Sequence, residues 1–218
     1  MEKFDYKKEY KDLYMPKTIP MIIDVSKMTF IMVDGKGNPN DIDGEYQKAM
    51  EILYGLSYTI KMSKMSGKQP EGYFEYVVPP LEGFWWLEND ENPIYEIKDK
   101  NKFEWTSMIR QPEFVTKEVF ENAVNELGKK KPGLDLSIAR LEEFEEGKCA
   151  QVMHLGSYDS EGETIKKLDK YITDMGYEKA ISDKLSTGQI RRHHEIYLGD
   201  PRKTSPEKLK TVIRHPIK

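Results

Sequence analysis

The run His193-His194-Glu195-Ile196-Tyr197-Leu198 places an imidazole, a carboxyl group and a phenol at alternate positions. As a β-strand, its period-two alternation gathers His193, Glu195 and Tyr197 on one face and His194, Ile196 and Leu198 on the other. A carboxylate beside a phenol is a proton acceptor with an adjacent hydrogen-bond donor, which suits it to activating a water molecule. A solvent-facing sheet surface shows the same alternation, so the pattern carries chemistry only where the face looks into a groove. Ile196 and Leu198 are expected to pack on a helix, leaving Glu195 and Tyr197 on the open side. Glu75, in the β-rich run Tyr73 to Val78, is the expected echo of Glu195 in the first half of the chain. Trp85, Trp86, Tyr46 and Tyr158 are aromatics with a polar handle, the type of side chain that forms flat binding walls, whereas Phe84 reads as core.

Other chemistries find less support. The four histidines are His154, His193, His194 and His215, and Cys149 is the only cysteine. Adjacent histidines on a strand point to opposite faces, and no helical His pair is present, so no metal site is expected. Gly35-Lys36-Gly37-Asn38-Pro39-Asn40 lies between a strand and a helix, but it departs from the dinucleotide fingerprint and lacks the Lys-Ser/Thr of a phosphate loop. It reads as a turn that needs positive φ. No cofactor is expected. Cys149, beside an apolar run, reads as a small buried hydrophobe.

Charge and composition narrow the partners. The chain has 34 basic and 38 acidic residues among 218, a net charge of -4, with both signs interspersed. Phosphate neutralisation drives nucleic-acid affinity, so direct nucleic-acid binding is not expected. No apolar run reaches the length of a membrane span, and Met1 to Lys17 lacks the apolar core of a signal peptide. A single cysteine forms no internal disulfide. The expectation is a cytoplasmic protein of undetermined oligomeric state.

The elements that would position Glu195 occur in an order that repeats. Thr106-Ser107-Met108-Ile109-Arg110-Gln111-Pro112 resembles Lys210-Thr211-Val212-Ile213-Arg214-His215-Pro216, each a strand that bears an Arg and ends at a Pro. Upstream of the first come a strand at Lys27 to Asp34, an amphipathic helix from about Asp43 to Ser57, and strands at Tyr73 to Val78 and around Trp85 and Trp86. Upstream of the second come a strand at Ala150 to Leu155, a turn at Gly156 and a helix begun by a Ser160–Glu163 capping box, then a strand at Arg191 to Leu198. A linking helix at about 116–130 has Thr116 as its N-cap, and Leu136 to Glu145 reads as a strand. The expected organisation is one domain over 1–218, with half one at about 20–112 and half two at about 136–218. The two halves would be related by a pseudo-twofold axis, with a ligand groove between them. Residues 1–20 read as an arm or a first strand, and Glu88 to Asn101 as a surface loop.

His154-Leu155-Gly156-Ser157-Tyr158, Glu195-Ile196-Tyr197-Leu198-Gly199-Asp200-Pro201 and Lys210 to Pro216 together resemble the GyrI-like family of gyrase-inhibitory proteins and effector-binding domains, over about residues 20–218. The resemblance implies an α+β, duplicated SH2-like or SOUL-type fold: two antiparallel half-sheets with helices, and an aromatic pocket between them in which a late-strand Glu, here Glu195, meets the ligand. It also implies a stand-alone member, similar to the branch that hydrolyses the cyclopropane of DNA-alkylating compounds.

On that reading the protein is a xenobiotic-detoxifying hydrolase. Glu195, its pKa raised by burial, and Tyr197 would be catalytic. Trp85, Trp86, Tyr158, Tyr46, Glu75, His193 and His154 would bind a small aromatic or cationic ligand. The alternatives are a non-catalytic module that sequesters aromatic cations by cation–π contact, and a gyrase-interacting protein.

Overall fold

The computed structural model describes residues 3–87 and 99–218. Two single-turn helices, α1 (Tyr6–Glu9) and α2 (Lys11–Tyr14), precede strands β1 (Met21–Val25) and β2 (Met28–Lys36). Then come helix α3 (Glu45–Met62), strands β3 (Leu81–Leu87) and β4 (Phe103–Arg110), and helix α4 (Lys117–Lys130). The second run is β5 (Ala139–Phe144), β6 (Gly147–Leu155), α5 (Glu161–Asp174), β7 (His193–Tyr197) and β8 (Lys210–Pro216).

The eight strands form one antiparallel sheet in the order β1-β6-β8-β7-β3-β4-β2-β5. When β1–β4 are exchanged with β5–β8, that order reads the same backwards, so β3 and β7 meet at a pseudo-twofold. The opening strand of each run pairs into the other run. Met21 of β1 lies opposite Gln151 of β6, and Met28 of β2 lies opposite Phe144 of β5. This is the α+β, duplicated arrangement expected from the echo between β4 and β8.

Apolar spacing explains how the long helices sit. Ala49, Ile52, Leu53, Leu56 and Ile60 recur on one side of α3 and are buried, and Ile165, Leu168 and Ile172 do the same on α5, against Ala150, Val152 and Ile213 of the sheet. The linking helix α4 begins at Thr116, whose hydroxyl accepts from the Val119 amide at 3.3 Å. It lies close against α3, where a Cβ on Gly55 would come within 2.9 Å of Leu127.

The other face of the sheet is covered by the N-terminal arm, which forms α1 and α2 before β1. Tyr6 and Tyr14 are buried there. The two arginines of the echo hold the arm in place. The Arg110 guanidinium lies 4.6 Å and 4.5 Å from the ring centres of Tyr6 and Tyr10, and Arg214 Nη2 donates to the Leu13 carbonyl at 3.0 Å.

The run Tyr73 to Val78 is not a strand; only Tyr76 makes an isolated bridge, with Phe4. Proline at both 79 and 80 delays the strand to Leu81. Of the surface loop expected at Glu88 to Asn101, residues 88–98 lie outside the described residues. The Ser160–Glu163 capping box does not form: Ser160 precedes α5 but makes no side-chain cap, because its backbone, at φ -99° and ψ 2°, is not in the extended conformation that aims a capping hydroxyl at the helix amides.

Gly35 stands in β2 for a packing reason. A Cβ there would come 2.2 Å from the Trp105 ring, and Trp105 is almost fully buried. Gly35→Ala is expected to lower stability by about 1–3 kcal/mol through overpacking, measured as a fall in thermal midpoint. The positive φ expected of this turn belongs to Gly37, at 97°.

Candidate functional site

Alternation along β7 turns His193, Glu195 and Tyr197 to the face covered by α3 and α5. This reverses the expectation that Ile196, and not Glu195, is on the side of the long helix. Glu195 Oε1 lies 2.9 Å from His193 Nε2, and Tyr197 donates its hydroxyl to Glu195 Oε2 at 2.7 Å. Trp85 Nε1 in turn donates to the Tyr197 oxygen at 2.7 Å. The cross-strand partner of Glu195 on β3 is Gly83. A Cβ on Gly83 would come 2.8 Å from Trp85 Nε1 and 3.4 Å from the Tyr197 oxygen, so the missing side chain makes room for that hydrogen bond.

The long helices close the cluster. Tyr46, in the first turn of α3, stacks on Trp85 at 5.6 Å and meets Trp105 edge-on at 5.1 Å. Glu161, the first residue of α5, is buried and lies near enough to Glu195 for the two carboxyl groups to act on one another's acidity. Its Oε1 has no hydrogen-bond partner among the described residues. Tyr158, in the turn before α5, packs edge-on against Tyr197 at 5.5 Å and stays 36% exposed, so it forms the rim.

The two carboxyl groups are driven apart in acidity. Burial pushes Glu161 well above the usual carboxylate range, and the charge of Glu195 pushes it further. Burial acts on Glu195 in the same sense, but hydrogen bonds from His193 and Tyr197 outweigh it and hold Glu195 below the usual range. The expectation of a raised Glu195 is therefore corrected: the elevated carboxyl is its neighbour. Burial and the nearby carboxylates push the Tyr158 phenol up to about 12, and burial with the Glu195 charge raises Tyr46 as well.

Among the residues singled out from sequence, the structure gathers Glu195, Tyr197, Trp85, Tyr46, Tyr158 and His193. It separates three others. Trp86 alternates to the opposite face, where it hydrogen-bonds Glu104 and lies under Arg192 at 4.6 Å, so the two tryptophans do not form one stacking wall. Glu75 is on the Tyr73–Val78 run and pairs with Lys64. It does not echo Glu195: Leu81 pairs with Ile109 as Glu195 pairs with Ile213, so the equivalent position holds Leu81. His154 has both ring nitrogens engaged locally, Nδ1 with the Thr164 hydroxyl at 2.8 Å and Nε2 with the Ser157 carbonyl at 3.1 Å. It braces the turn that carries Tyr158.

His194, on the opposite face, enters a separate buried ionic group. Its Nε2 is 3.0 Å from Glu82 and its Nδ1 3.1 Å from Glu146, while Arg214 Nη1 lies 3.0 Å from the same Glu146 oxygen. Openings also exist elsewhere. One of about 560 Å³ is lined by Trp86, Arg140 and Glu142, and one of about 1190 Å³ lies along α3 and α4. Neither reaches Glu195. The first holds the half-exposed Arg140–Asp34 and Arg140–Glu142 pairs, a solvated setting in which charges are screened. Among the described residues, no cluster of three or more His, Cys, Asp or Glu side chains is placed to hold a metal ion, and no helix is long and apolar enough to cross a membrane.

Known proteins share this fold. A solved structure of an uncharacterized conserved protein from Listeria innocua is 48% identical, with a TM-score of 0.89 over 99% of this chain and all of that one. A second Listeria innocua structure, described as a hydrolase, is 46% identical with a TM-score of 0.85 over the same shares. The EcmrR C-terminal domain, at 12% identity and a TM-score of 0.52 over 91% of this chain and 96% of that one, shares the fold alone. No curated relative matches the sequence. The profile of the GyrI-like small molecule binding domain matches residues 19–218, and the chain belongs to that family.

Proposed function

We propose that the cleft between α3 and α5 binds a planar organic molecule with an electrophilic cyclopropane and opens the ring with water. The observation that carries this reading is the nearness of two carboxyl groups of opposite acidity, Glu195 low and Glu161 high, beneath the aromatic rings of Tyr46, Trp85 and Tyr158. Carboxyl groups set apart in this way divide the roles of base and acid. Relatives at 46–47% identity described as hydrolases support it.

Glu195 takes a proton from water as the water oxygen bonds to a ring carbon. The carbon–carbon bond breaks, and its electron pair passes through the conjugated system to a carbonyl oxygen. Glu161 gives that oxygen its proton. The Tyr197 hydroxyl is already directed at Glu195 and held from behind by Trp85, so it orients the base.

The test is incubation with a cyclopropane conjugated to a ring carbonyl, with mass spectrometry of the product. A mass gain of one water under multiple turnover supports the reading, and recovery of intact compound overturns it. The ionised Glu195 among aromatic rings also favours a second reading, a binder of aromatic cations without turnover. Tight binding of such a cation together with intact cyclopropane would select it.

Glu161→Gln gives the pH signature. In the native chain kcat/KM should be bell-shaped, falling in acid as the pair takes up a second proton and in alkali as Glu161 loses its own. The carboxamide of the variant has no acidic proton to lose, so the alkaline limb should vanish. The plateau should drop by about 10²-fold or more, as for loss of a general acid. A retained alkaline limb would assign the acid elsewhere.

A further inference from the structure

Behind Glu195 a line of side chains crosses the protein. Glu195 Oε1 is 2.9 Å from His193 Nε2, His193 Nδ1 is 2.7 Å from His215 Nε2, and His215 Nδ1 is 2.9 Å from Asp169 Oδ1. Asp169 Oδ2 then meets Lys179 Nζ at 2.7 Å. Both imidazoles are 2% exposed, whereas the side chains of Asp169 and Lys179 are 18% and 43% exposed. The line therefore starts in the cleft, passes under α5 through two buried rings, and ends at the surface.

Counting hydrogens gives the line its character. It has three gaps, each short enough for a hydrogen bond, and each needs one hydrogen. Two neutral imidazoles supply two, so a third proton is held along the line. With Glu195 protonated, the rings can carry their hydrogens on Nδ1 and Asp169 is charged. With each hydrogen moved across its own gap, Glu195 is charged and Asp169 holds the proton. The nitrogen bearing each hydrogen follows from its partner. No heavy atom has to move between the two arrangements.

We propose that Glu195, His193, His215 and Asp169 form a proton path that links the cleft to solvent beneath α5. The proposal rests on the hydrolytic reading of the cleft. The Glu195 side chain is only 13% exposed, and a planar ligand over it would close its remaining contact with solvent. The proton taken from water then leaves by the back: Asp169 releases the proton it held beside Lys179, the new proton rests on Glu195, the two rings exchange their Nε2 hydrogens for Nδ1 hydrogens, and one hydrogen then crosses each gap, from Glu195 to His193, from His193 to His215 and from His215 to Asp169, which restores the starting state. The proton that Glu161 gives to the product oxygen is a separate one. His193, His215 and Asp169 act through Glu195 and are positioning residues.

The charges along the path agree with this direction. Glu195 is faced by His193 and Tyr197 from its own strand, by Glu161 from α5, by Tyr46 from α3 and by Tyr158. His215 is faced by His193, Asp169 and Lys179; burial brings its acidity to about 4, so it passes a proton on without retaining it. Burial would raise Asp169, but His215 and Lys179 hold it below the usual range, so it releases readily to solvent.

Asp169→Asn tests the path, because the amide oxygen still accepts from His215 but takes no proton. In the full chain, with a cyclopropane-bearing substrate, kcat should fall about tenfold or more, a share of the 10²–10⁴-fold that a positioned base supplies. KM should stay put, the solvent deuterium isotope effect on kcat should grow, and the acid limb of the pH profile should move. An unchanged kcat and isotope effect overturns the path. So does a loss carried by KM with an unmoved profile, which is the mark of a structural role. Nitrogen NMR of the rings in unliganded protein reads the path without turnover. Glu195→Gln should shift His215, two links away, and Asp169→Asn should shift His193. If each change moves only the adjoining ring, the path is absent. If the native protein binds but does not open the substrate, the hydrolytic reading fails, and the NMR coupling alone decides the path.

Discussion

Glu195→Gln is expected to lower turnover by roughly 10²–10⁴-fold while leaving the affinity for a neutral planar ligand nearly unchanged. Gln keeps the volume but cannot take a proton from water. Its amide also puts a donor where both carboxylate oxygens now accept, from His193 and from Tyr197, so a modest loss of stability accompanies the kinetic effect. The stacking of Tyr46 on Trp85 remains. A cation binder without turnover would show the converse: affinity for cationic aromatics falls as the desolvated countercharge is lost, and neutral ligands are indifferent. Turnover and affinity measured on the same variant separate the two, and no change in either would remove Glu195 from the site.

Arg214→Met should be the most destabilising single change away from the cleft, by about 3–5 kcal/mol. Arg214 is 1% exposed and donates to Glu146 Oε2, Gln151 Oε1 and the Leu13 carbonyl, each at 3.0 Å. Met replaces the bulk but leaves Glu146 buried with His194 as its remaining charged partner. Burial would raise Glu146, yet His194 and Arg214 bring it from 4.5 down to about 2. Its folded-state pKa is therefore depressed. The stability it contributes is present above the unfolded value of 4.5 and is lost as the pH falls toward 2. In the Met variant that loss should begin at higher pH, because half of the compensating charge is gone. Denaturant titrations of both proteins from neutral pH down into the acid range measure both effects. Equal unfolding free energies would show that Arg214 is dispensable to the fold.

The frame was legible where a local rule fixes geometry. The Arg-to-Pro echo marks β4 and β8 and hence the duplication, and alternation along β7 gathers Glu195 with His193 and Tyr197. Thr116 caps the helix expected of it. The misreadings occur where one local signal overrides another, or where only a tertiary contact decides. The β-rich composition of Tyr73 to Val78 loses to the proline pair that follows it, and that moves Glu75 away from the place of Glu195. Trp85 and Trp86 read as a pair, although the same alternation that places Glu195 puts them on opposite faces. Glu161 escapes notice because it reads as an ordinary first-turn acid, a position the helix dipole favours when charged. Its only sequence signal is that it directly follows the turn carrying Tyr158. Its nearness to Glu195, across the space between α5 and β7, is a tertiary fact.

The exchange of opening strands between the two runs bears on how the chain reaches this shape. β1 waits for β6, and β2 cannot complete its outer pairing until β5 has been made. Contacts between residues so distant in sequence form late, because the loop entropy is lost before the pairing rewards it, and sheets of this kind fold in about milliseconds to seconds. A fragment ending at Arg110 would have no partner for β1 and would leave one edge of β2 bare, which invites pairing with another copy. The duplication therefore yields no pair of independent modules: the N-terminal run emerges first in synthesis but completes its pairings only once β5, β6 and β7 have followed.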